Sequence, residues 1–244
     1  MESPIPWEEF PAFPALPENQ IQIWQTALPR TAEEAAPFLP LLSPDETERA
    51  DRFLVPRARA AFAGARGTLR LLLGHYLDLD PRQLCFGYSP QGKPALEGHN
   101  LCFNLSHSQG LALHAFSRGL ALGIDVEHLR PAVAGTQIAR RFFSAREVTA
   151  LEEVPPERRT EAFFTCWTRK EAYLKARGEG LSLGLQHFAV SLDEPARLLD
   201  AEEGEGETRN WRFCALAPRP GYVGALCAAA GDWQLRCFAS PPYR

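Results

Sequence analysis

The stretch Phe163-Phe164-Thr165-Cys166-Trp167-Thr168-Arg169-Lys170-Glu171-Ala172-Tyr173-Leu174-Lys175-Ala176-Arg177 decides the fold. At 3.6 residues per turn it puts Phe163, Trp167 and Leu174 on one stripe, the pattern of a helix packed on a core. Lys170 shares that stripe, so its ammonium must either snorkel to solvent or meet a carboxylate. Glu171 and Lys175 lie one turn apart on the flank, and by themselves read as a solvated pair worth roughly 0.3 kcal/mol. Gly178 is placed to cap the helix, and Gly178-Glu179-Gly180 leaves backbone free to approach a ligand.

Working outward, the helix is preceded by Ser144-Ala145-Arg146-Glu147, a capping box that starts another helix. It is followed by strands near 181–192 and a strand pair at 211–216 and 222–228. The first part of the chain repeats this order. Ser43-Pro44-Asp45-Glu46 is a second capping box, and a long helix over 57–77 carries Phe62, Leu69, Leu72, Leu73 and Tyr76 at core spacing. Strands at 101–105 and 111–116 follow, joined by Ser106-His107-Ser108-Gln109-Gly110. The order predicts an α+β fold of two similar subdomains, a pseudo-duplication in which each antiparallel sheet packs on a long helix. An active site is expected in the cleft between them. The expected division is an N-terminal arm over 1–20, with Pro4, Pro6, Pro11, Pro14 and Pro17, then subdomains over 21–121 and 122–244. Glu202, Glu203, Glu205 and Glu207, interleaved with glycines, predict a solvated loop.

Composition excludes several classes. The 26 basic and 30 acidic residues give a formal charge of −4, which argues against a general nucleic-acid coat. The six cysteines form no C-x-x-C pair and read as reduced core residues. The proline-rich N-terminus lacks the blocks of a signal peptide, and no apolar run reaches spanning length. A soluble, cytoplasmic protein is expected.

The segment Leu120-Ala121-Leu122-Gly123-Ile124-Asp125-Val126-Glu127 alternates like a strand, with Leu122, Ile124 and Val126 on one face and Asp125 and Glu127 on the other. Two carboxylates at that spacing are either solvated on an exposed strand or brought together around a cation. A hard ion such as Mg²⁺ suits them, with Glu171 as a third carboxylate if the long helix packs on this strand. Ser106-His107-Ser108 offers hydroxyls and an imidazole able to cradle phosphate. Lys93 sits in a rigid Gly-Lys-Pro turn.

Taken in order, Gly92-Lys93-Pro94, Asn104-Leu105-Ser106-His107-Ser108, Gly123-Ile124-Asp125-Val126-Glu127, Phe142-Phe143-Ser144-Ala145-Arg146-Glu147 and Trp167 through Lys175 resemble the 4′-phosphopantetheinyl transferases. The size is similar to the monomeric, surfactin-synthetase-activating type. The resemblance implies transfer of the phosphopantetheine arm of coenzyme A to a serine of an apo acyl or peptidyl carrier protein, releasing adenosine 3′,5′-bisphosphate. It implies Asp125, Glu127 and Glu171 as ligands of Mg²⁺, and oxygen ligands suit Mn²⁺ equally. It implies Lys175 as a phosphate contact, and Glu171, directly or through a metal-bound water, is the candidate base for the carrier serine. Ser106 and His107 would bind phosphates of coenzyme A, Lys93 would lie beside its adenine and ribose, and Arg49, Arg52, Arg59 and Arg66 are available for the 3′-phosphate. Acidic carriers would dock on the basic run from Arg130 through Arg140, Arg141 and Arg146. Neither nucleic acid nor membrane is an expected partner. Two rivals share the same acids: a Mg²⁺-dependent phosphoesterase, and a scaffold that binds coenzyme A or a carrier without turnover.

Overall fold

The computed structural model describes residues 5–9, 13–178, 184–202 and 204–239. The Glu179-Gly180 loop, Glu203, and Pro4 and Pro11 of the arm lie outside them. In chain order the strands are β1 (Trp7–Glu8), β2 (Gln20–Ala27), β3 (Phe86–Tyr88), β4 (Pro94–Leu96), β5 (Leu101–Ser108), β6 (Leu111–Arg118), β7 (Leu122–His128), β8 (Phe188–Val190), β9 (Leu198–Ala201), β10 (Trp211–Leu216), β11 (Tyr222–Ala229) and β12 (Gln234–Phe238). The helices are α1 (Ala32–Ala35), α2 (Pro44–Asp51), α3 (Pro56–Leu77), α4 (Thr136–Phe142), α5 (Ala145–Glu153), α6 (Arg159–Arg177) and α7 (Glu205–Arg209).

Four layers result. The helix α3 packs Leu69, Leu72 and Leu73 on Trp24, Phe103 and Phe116 of a five-stranded sheet ordered β1-β12-β2-β6-β5. The other face of that sheet, with Ile21, Ile23, Leu111 and Leu113, meets Leu122, Ile124, Val126 and Leu226 of a three-stranded sheet ordered β10-β11-β7. The helix α6 covers the far side, where Cys166, Ala172, Tyr173 and Ala176 pack with Ala225 and Cys227. The alternation predicted along β7 is therefore used on both faces, one for the core between the sheets and one for α6.

The strand order runs β2-β6-β5 in one sheet and β7-β11-β10 in the other, all antiparallel, with a small hairpin (β3-β4, β8-β9) after each long helix. The first sheet is not wholly antiparallel, because β12 and β1 add to it as parallel strands. The last strand thus returns to the first sheet, a pairing between distant segments that no local pattern announces. Of the acidic segment, Glu203 lies outside the described residues and Glu202 is exposed as expected, but Glu205–Arg209 form α7, whose Glu207 accepts from Tyr173 Oη at 2.9 Å and Trp211 Nε1 at 2.7 Å and pairs with Arg177.

Each capping box does more than start a helix. Glu46 bonds Ser43 N, then turns inward to Arg70 Nε at 2.6 Å and Arg66 Nε at 3.0 Å. Glu147 bonds Ser144 N, then meets Lys170 Nζ at 2.6 Å. Lys170 is fully buried, and this is the carboxylate its place on the apolar stripe demands. Its ammonium also donates to Phe188 O at 2.6 Å, while Val190 N donates to Glu147.

Candidate active site

The contact between α6 and β7 depends on Gly123. A Cβ there would lie 2.2 Å from Ala172 O and 2.3 Å from Ala176 N, so any side chain would push the helix off the strand. With the backbones this close, Glu171 and Lys175 stand beside Asp125 and Glu127. Lys175 Nζ donates to Asp125 Oδ1 at 2.7 Å and to Ile124 O at 3.2 Å. Glu171 makes no hydrogen bond among the described residues. Burial raises its pKa above the usual carboxylate value, and Asp125 and Glu127 add to the rise while Lys175 opposes it. Burial also raises Glu127, against the pull of Ser108 and Arg130.

The second contributor is the edge of the first sheet. The strand β5 extends to Ser108 and turns through Gln109 and Gly110, both with positive φ, as a two-residue hairpin requires. Ser106, His107 and Ser108 are therefore strand residues and not the connection that the sequence reading made them. Alternate side chains of β5 reach the outer edge of β7. Asn104 Oδ1 accepts from Ile124 N at 2.9 Å, Ser106 Oγ from Val126 N at 3.4 Å, and Ser108 Oγ from His128 N at 3.2 Å. The two sheets are joined at the site without a backbone ladder.

The opposite face of β5 carries His107, near Lys175 and Asp125 at the rim of the site. Loss of water around the ring, and then the Lys175 charge, hold its pKa below the ordinary imidazole value. A cleft of about 330 Å³ opens here, lined by Arg49, Lys93, Asn104, Glu171, Lys175 and Gly178. The Lys93 ammonium reaches across to the second half, donating to Lys175 O at 2.5 Å, Leu122 O at 3.2 Å and Ala176 O at 3.4 Å. Its burial lowers its pKa.

The structure thus brings together Asp125, Glu127, Glu171, Lys175 and His107, with Ser106 behind them and Lys93 and Arg49 on the cleft wall. It disperses the other arginines. Arg52 pairs with Glu48 and Arg59 with Asp51 on the surface, and Arg66 is buried against Glu46, donating to Tyr88 Oη. The sequence reading gave no separate role to Asn104 or Gly123 and offered Ser108 as a phosphate donor, whereas its hydroxyl donates to Glu127 Oε2.

Two observations bear on whether a cation suits this site. Asp125 Oδ2 is buried without a hydrogen-bond partner, an arrangement that costs about 1–3 kcal/mol unless something binds it. Three hard oxygen donors on two adjoining elements match what Mg²⁺ takes. Among the described residues no three His, Cys, Asp or Glu side chains stand close enough to form a finished metal cluster. Lys175 and Arg130 supply the positive charge instead, Arg130 Nη2 lying 2.8 Å from Glu127 Oε2. The donor chemistry fits, and Asp125 and Glu127 are held by these cations.

Residues 121–227 match the 4′-phosphopantetheinyl transferase superfamily. Over 233 residues, 93% of this chain and 95% of the relative, the sequence is 38% identical to the 4′-phosphopantetheinyl transferase HetI of Nostoc sp.. It is 29% identical to the 4′-phosphopantetheinyl transferase Sfp of Bacillus subtilis over 84% of this chain and 90% of that one. A shorter match, 40% identical over 45% of this chain and 56% of the relative, is to the 4′-phosphopantetheinyl transferase AcpT of Salmonella typhi.

Proposed function

This chain belongs to the 4′-phosphopantetheinyl transferase superfamily and transfers the phosphopantetheine arm of coenzyme A to a carrier protein, and on that premise we propose which residues of the cleft act. Neither the phosphoesterase nor the non-catalytic scaffold is retained. Asp125, Glu127 and Glu171 hold a divalent cation, Mg²⁺ with Mn²⁺ as an equivalent. The buried, unpartnered Asp125 Oδ2 is the observation that carries this reading. When bound, such an ion polarises the attacked phosphoryl group and offsets charge on the leaving side.

The chain's own groups do the rest. Glu171, its pKa raised by burial, takes the proton of the carrier serine as that oxygen bonds to the phosphorus of the pantetheine phosphate. The phosphoanhydride bond breaks and adenosine 3′,5′-bisphosphate leaves. Lys175 steadies phosphate charge from the helix flank. His107 takes a phosphate oxygen at the mouth, with Ser106 behind it, and Lys93 presents its backbone and stem to adenine and ribose. Of the four first-half arginines, Arg49 is assigned to the 3′-phosphate because it lines the cleft.

Acidic carriers dock where α4 and the start of α5 carry Arg140, Arg141 and Arg146, next to Arg130. We place the protein in the cytoplasm as a monomer. Six free thiols support a reducing compartment, and no described helix is long and apolar enough to cross a membrane. We also read the molecule as lobes over 21–121 and 122–244, with β12 strapping the second to the first.

The test mixes the protein, coenzyme A, Mg²⁺ and an apo carrier domain, then weighs the carrier by mass spectrometry. A gain of one phosphopantetheine that needs the metal and vanishes in Asp125→Ala is expected. Full modification in excess EDTA would overturn the cation assignment.

A further inference from the structure

Between β5 and β7 one arrangement occurs twice, and the proposed reaction leaves half of it unexplained. Ser106 Oγ donates to Asp125 Oδ1 at 2.7 Å while accepting from Val126 N. Ser108 Oγ donates to Glu127 Oε2 at 2.7 Å while accepting from His128 N. On each carboxylate the oxygen that takes the hydroxyl also takes a cation, Lys175 on Asp125 Oδ1 and Arg130 on Glu127 Oε2. In both cases the second oxygen is left over. Asp125 Oδ2 is buried and unpartnered, and among the described residues the partners of Glu127 all sit on Oε2, leaving Oε1 without one.

Joining the two strand edges does not by itself require serine. Asn104 makes the same bridge to Ile124 N with an amide oxygen, and on β7 its rung has Gly123 and not a carboxylate beside it. At 106 and 108 one atom must accept from a backbone N–H and donate to a carboxylate, which a hydroxyl does and a carbonyl oxygen does not. Ser108 is buried, so its proton and acceptor capacity are committed inside the protein.

We propose that Ser108, with Ser106 as its counterpart, is a positioning residue: it anchors Glu127 by one oxygen so that the other is presented, with Asp125 Oδ2, to the divalent cation. A carboxylate fixed at one oxygen loses less torsional freedom when the ion binds, so the two serines pre-organise the donors. The inference rests on the reading that Asp125, Glu127 and Glu171 hold such an ion.

Full-length wild type, Ser108→Ala and Ser108→Thr are titrated with Mn²⁺ in the presence of coenzyme A, and bound metal is followed by electron paramagnetic resonance. Thermal midpoints are measured in EDTA. The expected result is a loss of Mn²⁺ affinity of about tenfold or more in Ser108→Ala and recovery to within about twofold in Ser108→Thr. Lower thermal stability in Ser108→Ala with unchanged Mn²⁺ affinity would show that the hydroxyl only joins the sheets, and would overturn the assignment alone. A wild type that binds no Mn²⁺ and transfers in EDTA would overturn the cation reading and the assignment with it. Should Ser108→Ala fail to fold, Ser106→Ala makes the same measurement through Asp125.

Discussion

The two long helices each pack on a sheet and carry different burdens. Each has, on the preceding helix, a capping-box glutamate that it neutralises from inside: Glu46 by Arg66 and Arg70, Glu147 by Lys170. Beneath α3 the strand β2 presents Trp24, whose indole N–H meets Tyr76 Oη, and that hydroxyl donates to Gln22. Trp24, Tyr76 and Gln22 are neutral and hydrogen-bonded to one another. Beneath α6 the strand β7 presents Gly123, Asp125 and Glu127, and the helix adds Glu171 with no partner among the described residues. The same scaffold therefore closes one polar network and leaves the other open. What distinguishes a binding site from a core here is unsatisfied charge, held in place by a glycine that lets the backbones touch.

The largest effect should come from breaking the pair that both halves share. In Glu147→Ala the Lys170 ammonium stays buried with only Phe188 O, and roughly 5 kcal/mol of stability should go, measured by denaturant unfolding. A loss under about 1 kcal/mol would mean the pair is dispensable and the likeness to Glu46 superficial. Glu171→Gln sharpens the opposite side of the comparison. Transfer should fall by about 10³-fold, equivalent to about 4 kcal/mol, while the thermal midpoint rises at pH 7. The sign follows from the raised pKa of Glu171: ionisation is disfavoured in the fold, so stability is lost as pH rises through that pKa, and a neutral amide removes the penalty. A fall in both activity and stability would make Glu171 an ordinary structural acid.

A third test addresses the closed half. His114, on β6 under α3, is wholly buried with Nε2 at 3.1 Å from Ala65 O, and burial holds its pKa down at about 4 against 6.5. Being depressed, it contributes stability that is present above pH 6.5 and is lost as pH falls toward 4, by up to about 3 kcal/mol. His114→Gln should flatten that part of the stability profile. An unchanged slope would show that His114 is not the source of the acid sensitivity.

How much of this was legible follows from what kind of pattern each feature makes. The α6 stripe, the two capping boxes and the alternation of β7 are local periodicities, and they put Asp125, Glu127, Glu171 and Lys175 in one place. Lys170 was legible as a buried cation whose partner went unnamed. Yet Glu147 lies 23 residues before it, almost the 24 that separate Glu46 and Arg70, so comparing the halves would have found it. Ser108 was obscured by ending β5 at Leu105. Read to Ser108, residues 104, 106 and 108 fall on one face with period two, matching 124, 126 and 128 across the gap. The β12 and β1 pairings and the burial of Arg66 depend on distant partners, and nothing within a few residues encodes them.

The smallest expected effect concerns how each long helix ends. The last turn of α3 is closed by its own chain, with Asp78 in the left-handed region and Leu79 N bonded to Gly74 O at 2.9 Å. At the end of α6, Gly178 at φ 76° does the same through Leu174 O, but Lys175 O and Ala176 O are capped by Lys93 from the other half. That ammonium is the point at which the two halves grip each other beside the cleft, and its three acceptors include Leu122 O at the start of β7. Lys93→Met keeps the stem and removes the charge. Burial already disfavours the ammonium, so the net loss should be modest, about 1–2 kcal/mol. Because the helix turn it holds carries Lys175, the variant should raise KM for coenzyme A severalfold more than it lowers kcat. A helix end held only by its own backbone, as in α3, would show the stability loss without the change in KM.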